Sequence, residues 1–331
     1  SENFNTVLYT GNGSTQSITG VNFQPDWVWA KQRNSGGGNH VLFDAVRGTT
    51  KMIASDIASA EETQSGVTAF NSDGFSVGSW SGSNNNGANF VAWNWKANGS
   101  GSSNTTGSIN STVSANADAG FSIVSYTGTG ANATVGHGLS KAPDFLVTKT
   151  RSHTGDWMVY YGDNTDFLKL NETNATEDLA AVWNDTSPTS SVFSLGSNGD
   201  VNTNGRTYIA YCFHSVDGYS KVGEYTGNGN AAGPFVYTGF RPAFMLVKRT
   251  DAAEDWWLID VVRDPHNVTY HLLYANSSNA EYSGGGSNDS PYDIVSNGFK
   301  NRTSNVNWNA NGGTYVYMAF AETPFKYSNS R

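Results

Sequence analysis

The sequence predicts an all-β protein of three tandem β-sandwich repeats with little helix. Apolar stretches are short and alternate with polar residues, the period of a half-buried strand. The gaps between them are crowded with Gly, Asn, Ser and Thr, which take up turn conformations at low cost. One ordered set of signatures also occurs three times along the chain.

Each set opens with a strand that runs into a glycine turn: Tyr9-Thr10-Gly11-Asn12-Gly13, Tyr126-Thr127-Gly128-Thr129-Gly130 and Tyr225-Thr226-Gly227-Asn228-Gly229. A second strand, at 25–31, 143–149 and 242–248, begins with proline and ends in lysine. In its first copy Trp27 and Trp29 share one face, and Val28 and Ala30 the other. Proline is tolerated there because the first residue of a strand gives up no interior ladder bond. A third apolar run follows at 40–47, 156–163 and 256–263. Turns with Asn or Asp and Gly come next, at 71–75, 197–199 and 296–299. The set closes on an aromatic strand at 90–95, 208–213 and 315–320, apolar on both faces, as a strand at the centre of a sandwich is. Tyr9 and Tyr126 lie 117 positions apart and Pro25 and Pro143 118; Tyr126 to Tyr225 and Pro143 to Pro242 are both 99.

These signatures place the repeats at 1–97, 119–216 and 217–331. Residues 98–118, almost wholly Gly, Ser, Asn and Thr, read as a flexible linker or a long surface loop. Only the turn at Val216-Asp217-Gly218 separates the second repeat from the third, so those two are expected to pack closely. Residues 49–63 could form one or two helical turns, and 174–183 offer a second short helix.

Composition narrows the function classes. The chain has 331 residues, enough for two or three domains, and 37% are hydrophobic and 13% aromatic, which suits folding rather than disorder. A net charge of −9 repels a phosphate backbone, so nucleic acid is not an expected partner. No run approaches the ~18 consecutive apolar residues of a membrane span, and no membrane partner is expected. The one cysteine, Cys212, can form no internal disulfide and reads as a small buried apolar residue in its strand.

The first set carries Tyr-Thr-Gly-Asn-Gly, then Gly20-x-x-Phe23-x-Pro25-Asp26-Trp27-Val28-Trp29-x-Lys31, then Phe43-Asp44-x-x-Arg47-Gly48, then Ser72-Asp73-Gly74-Phe75, then Phe90-Val91-Ala92-Trp93-x-Trp95-Lys96. This order resembles a module of unknown function in marine bacteriophage virion proteins, where it stands beside concanavalin-like, laminin-G-type modules of tail fibres. The third set is similar, with Gly239-Phe240-x-Pro242 and Asp260-x-x-Arg263. The second departs, with Tyr160 and Asp163 where Asp and Arg are expected. The resemblance implies a jelly-roll or concanavalin-like sandwich and a virion-surface location. It supplies no catalytic residues.

The chain holds no Gly-x-Ser-x-Gly elbow, no His-Glu-x-x-His and no P-loop, and is read as non-enzymatic. Its six histidines stand at no metal-ligand spacing and read as surface or strand-end residues. Glu61-Glu62, Glu177-Asp178 and Glu254-Asp255 read as solvated loop charge rather than glycosidase carboxylates. Asp44 with Arg47, and Asp260 with Arg263, read as ion pairs that end a strand and pin the next loop, with ligand recognition by Arg the alternative. Asp200-x-Asn202-x-Asn204-Gly205 is the first half of a calcium loop. It reads as an ordinary turn or as a weak Ca²⁺ site; no other cofactor is expected.

Most of the ten tryptophans lie in alternating strands, but Trp80, Trp183 and Trp308 sit among turn formers. An exposed indole flanked by Asn and Ser would suit a sugar ring or a protein surface, and Trp80 and Trp308 both precede a closing strand. The alternative is that each caps its own core. Two functions follow as expectations. One is a virion structural protein, tail-fibre, receptor-binding or capsid-decorating, that meets other virion proteins or host-surface glycans, as a homotrimer if it follows the habit of phage fibres. The other is a free-standing secreted carbohydrate-binding protein whose repeats give avidity.

Overall fold

The protein is described by a computed structural model covering residues 2–284 and 291–323. Residues 285–290 and 324–331, within the third expected repeat, lie outside the described residues. The fold is all-β, and helix is limited to single four-residue turns among the described residues.

The first set holds β1 (Phe4–Thr10), β2 (Gln16–Thr19), β3 (Trp27–Gln32), β4 (Val41–Asp44), β5 (Lys51–Ala54), β6 (Glu62–Thr63), β7 (Val67–Asn71), β8 (Gly74–Val77), the turn α1 (Ser81–Asn84) and β9 (Asn89–Trp95). Its large sheet runs β1-β9-β3-β4-β5-β6 and its small sheet β2-β8-β7.

The second holds β10 (Ser102–Asn104), β11 (Ser111–Asn116), β12 (Phe121–Thr127), β13 (Ala133–Gly136), β14 (Phe145–Thr150), β15 (Met158–Tyr160), β16 (Asp166–Lys169), β17 (Glu177–Asp178), α2 (Ala180–Trp183), β18 (Val192–Leu195), α3 (Gly199–Asn202) and β19 (Thr207–Phe213). Its large sheet runs β10-β11-β12-β19-β14-β15-β16-β17 and its small sheet β13-β18.

The third holds β20 (Ser220–Thr226), β21 (Phe235–Tyr237), β22 (Pro242–Arg249), β23 (Trp256–Asp260), β24 (His271–Tyr274), β25 (Tyr282–Ser283), β26 (Tyr292–Val295), β27 (Gly298–Asn301), α4 (Val306–Asn309) and β28 (Thr314–Ala321). Its sheets run β20-β28-β22-β23-β24-β25 and β21-β27-β26.

Apart from β10 and β11, the three large sheets have one strand order. The closing strand sits between the opening strand and the proline-to-lysine strand, which explains why it is apolar on both faces. One face of each large sheet packs on its small sheet. In the first set Val28, Phe43 and Ala92 meet Ile18, Phe75 and Val77, and separate clusters fill the same place in the second and third sets. The other faces meet one another in a single core shared by all three sets. At its centre Phe213 and Phe320 stand 6.0 Å apart, Trp95 and Phe320 5.7 Å, and Trp27 stacks on Tyr211 at 4.3 Å.

Three expectations change. Residues 98–118 are not a free linker: β10 and β11 pair with each other, and β11 pairs with β12. The alternation Ile109, Ser111, Val113 is buried, so small Ser and Thr side chains here line a sheet edge rather than a loop. The first and second sets also meet directly, with Trp27 stacked on Tyr211 in the shared core. Residues 49–63 carry β5 and β6 instead of a helix, because Met52, Ile53 and Ala54 are all needed in cores on both sheet faces. Of 174–183 only the turn α2 is helical.

Hydrogen exchange tests the revised edge. The β11 amides paired with β12 should be protected for as long as those of β12 itself. Complete exchange of 111–116 within seconds would restore the linker.

Candidate functional site

The Tyr-Thr-Gly signature builds a joint. The Tyr9, Tyr126 and Tyr225 hydroxyls donate to the carbonyls of Ser83, Val201 and Trp308, at 2.7, 2.8 and 2.9 Å. The next residue in each helical turn is a buried asparagine. The side-chain oxygens of Asn84, Asn202 and Asn309 accept from the N–H groups of Asn12, Thr129 and Asn228. Gly11, Gly128 and Gly227 are required because a Cβ there would stand 2.2–2.3 Å from a carbonyl oxygen of the turn.

The lysines that end the second strand join neighbouring sets. Lys31, Lys149 and Lys248 are buried, and burial pulls each ammonium down to about 8. Lys31 donates to Gln32 O and Ser278 O, Lys149 to Thr150 O and Ala58 O, and Lys248 to Arg249 O and Thr173 O. The partners follow a cyclic order: first set to third, second to first, third to second. A second ring of contacts keeps this order. Trp157 Nε1 donates to Ala54 O and Trp256 Nε1 to Lys169 O, both at 2.8 Å. In the third place stands His40, whose ring faces the Tyr274 backbone and whose Nδ1 accepts from Trp29 Nε1. Burial holds His40 well below the usual histidine range.

Asp44 and Asp260 lie opposite Trp27 and Phe244 in register. Both carboxylates are fully buried and pair with Arg47 and Arg263 three residues on. Each also accepts from the neighbouring set, Asp44 from Tyr211 Oη at 2.8 Å and Asp260 from Trp93 Nε1 at 3.0 Å. Arg47 continues to Glu61, which Arg151 of the second set clasps through two nitrogens; Arg263 continues to Glu281, clasped likewise by Arg33 of the first. Burial pushes Glu61 and Glu281 up, but their arginines more than offset it, and both carboxylates titrate below the usual range.

The third junction lacks this network entirely. Leu146 pairs with Tyr160, so the position opposite Phe145 falls to Tyr161, one residue beyond the Tyr160 expected from sequence. Tyr161 bonds Thr176, and Thr176 N donates to Thr250 O, where the other junctions bring Glu to Arg. Met318 takes the place of Tyr211 and Trp93. Donor and acceptor are lost together. The ion pairs thus end their strands as expected, but they also bridge sets. Glu61, expected to be solvated, is part of the bridge.

Other expected sites are dispersed. Trp183 and Trp308 are each 2% exposed and can offer no stacking face. Trp308 packs on Trp257 with ring centres 4.0 Å apart, and Trp183 meets Tyr160 edge-on. Nor do Trp80 and Trp308 correspond: Trp80 precedes α1, whereas Trp308 lies within α4. Asp200 and Asn202 sit in the helical turn α3, which points them apart, and Asn204 is exposed beyond it. Asp200 accepts from Asp156 N, while Asn202 holds the glycine turn through its oxygen and both Ala131 O and Gly196 O through its nitrogen. An oxygen of Asp200 and the side-chain oxygen of Asn202 are thus taken by backbone N–H groups of the second set. Cys212 is fully buried, and burial pushes its thiol up to about 12. His40, His137 and His214 are buried rather than superficial.

Trp80 alone of the three indoles is half-buried. It lines a cleft of about 370 Å³ with Gln32, Asn39, Ser81, Asn85 and the glycine run 36–38, within the ~300–1,000 Å³ range of small-molecule sites. A Cβ at Gly82 would stand 2.3 Å from the Trp80 ring, so the indole is seated directly on that backbone. The glycine run in Gly36-Gly37-Gly38-Asn39 was the sequence signal for this cleft, and it went unread.

Arg47→Met should lower the unfolding free energy by about 3–5 kcal/mol, because it strands a buried carboxylate. Asp44→Leu combined with Arg47→Met should recover most of that loss. Denaturant titrations check both, and a single-variant cost below about 1 kcal/mol would contradict the buried pair.

Comparison with curated proteins yields no match. A family profile, described as domain of unknown function (DUF7483), matches residues 1–324 and so spans all three sets of strands. The chain belongs to that family.

Proposed function

We propose that the chain is a non-enzymatic virion structural protein, a tail-fibre or receptor-binding component or a capsid-surface decoration. In this reading it is three tandem copies of one jelly-roll-like sandwich. It contacts host-surface glycans or neighbouring virion proteins, and it acts at the virion surface. One observation carries the reading: the recurring charged and hydrogen-bonding residues are consumed in the interior, as scaffold, while the half-buried Trp80 faces an open cleft. Polar groups spent on rigidity are what a display platform requires. The phage-like order of motifs supports the virion setting. A free-standing secreted lectin is the second reading, favoured by the aromatic-and-amide lining of the cleft. Imaging whether the protein sits on particles separates the two.

Trp80→Ala should weaken adsorption to cells or assembly onto particles and, because the half-buried indole also packs on the core of the first set, lower stability by less than about 3 kcal/mol. Trp308→Ala should instead cost about 3–5 kcal/mol of stability. Adsorption and assembly both undiminished by Trp80→Ala would remove the contact role.

A further inference from the structure

The geometry points to a single neutral-glycan subsite per chain, in the Trp80 cleft of the first set. The inference rests on the binding reading above and names the ligand class and the valency.

The lining chemistry selects the ligand. No charged side chain stands among the described residues that line the cleft. A sulfated, sialylated or phosphorylated ligand would find no counter-ion there, and the chain as a whole carries −9. Asn39 and Asn85 each offer a donor and an acceptor, Gln32 an amide whose Nε2 also donates to Ser35 Oγ, and Ser81 a hydroxyl, which together match the mixed demand of a ring of hydroxyls. The glycine run leaves room at the mouth: at Gly37, whose N–H donates to Ser278 O, φ is +89° and a Cβ would meet nothing within 4 Å. Trp80, fixed on Gly82, supplies an aromatic wall for the apolar face of a pyranose.

The corresponding places in the other sets are altered. Gly82 is the second residue of α1, and the second residue of α3 is Asp200. That carboxylate turns inward to the Asp156 N–H, and a Cβ on the neighbouring Gly155 would stand 2.5 Å from it. Gln32 follows the buried Lys31; after Lys248 comes Arg249, whose guanidinium pairs with Asp251 and donates to Val306 O. The third set keeps a smaller cleft of about 220 Å³, lined by Asn305 and Asn307 with Trp257, Leu272, Tyr274, Tyr282 and Trp308; it has amides and aromatic walls but no glycine run. Among the described residues the third-set cleft has no glycine run, and the proposal is therefore one subsite, in the first set.

The test is an array of uncharged hexose and N-acetylhexosamine oligosaccharides beside sialylated and sulfated ones. It is probed with the full chain, and Kd values for the hits follow by titration. Uncharged glycans alone should bind, with one site per chain. Trp80→Ala, and Ser35→Trp at the exposed rim, should each weaken binding at least about ten-fold. Tyr237→Ala, in a charged cleft lined by Asp217 and Lys221, should leave it unchanged. Preference for charged glycans, three sites per chain, or binding untouched by both cleft variants would overturn the assignment. Should the chain adsorb to cells or particles equally well with both variants, this subsite is wrong and the binding reading stands. Should the unaltered chain adsorb to neither, both fall.

Discussion

Each large sheet is apolar on both faces, and only one of them has a small sheet to cover it. Trp27, Trp95, Phe121, Tyr211, Phe213, Phe244 and Phe320 would face water if a set stood alone. Aromatic side chains bury some 150–250 Å² each, so separation would expose a patch far beyond the few hundred Å² that soluble monomers tolerate. The three sets therefore cover one another. The three similar faces meet in one shared core. A family profile that runs unbroken over 1–324 agrees with a fold whose smallest stable part is the whole.

Apolar contact is not directional, so something else must set the register between sets. The buried lysines and the Asp–Arg–Glu–Arg chains do this from the edge of the core. Buried ion pairs add little net stability but make wrong juxtapositions costly. The second and third sets are tied by the tight turn at Val216 to Ser220, and their junction has Tyr161, Thr176, Thr250 and Met318 in place of the Asp–Arg–Glu–Arg chain, with the Lys248 ammonium on Thr173 O beside them. The first and third sets have no direct link along the chain. Their junction carries the full network from Trp93 through Asp260, Arg263 and Glu281 to Arg33. The first and second sets, which the chain joins directly, carry the equivalent network from Tyr211 through Asp44, Arg47 and Glu61 to Arg151.

Much of this was legible in the sequence at the level of single strands. The closing strands alternate nothing, and their placement between two partners follows from that. The Tyr-Thr-Gly turns, the buried Cys212 and the Asp–Arg ion pairs were equally readable, because each rests on neighbours in the same set. Contacts between sets were not. Glu61 looks like loop charge until Arg151, ninety positions away, is brought to it. The sheet edge at 102–116 has the composition of a linker, since Ser and Thr serve an edge strand as well as a coil. Trp308 lies among turn formers yet fills a core, whereas Trp80 four residues before its own asparagine stays half-buried. Local composition does not separate these two; the register to Asn84 and Asn309 does.

If the three sets cannot stand apart, they must unfold together. Scanning calorimetry of the intact chain reads this directly, through the ratio of calorimetric to van't Hoff enthalpy. The shared core predicts one transition with a ratio near 1. Separately resolved transitions, or a ratio near 3, would show that each set is stable by itself and that the common core is only a contact surface.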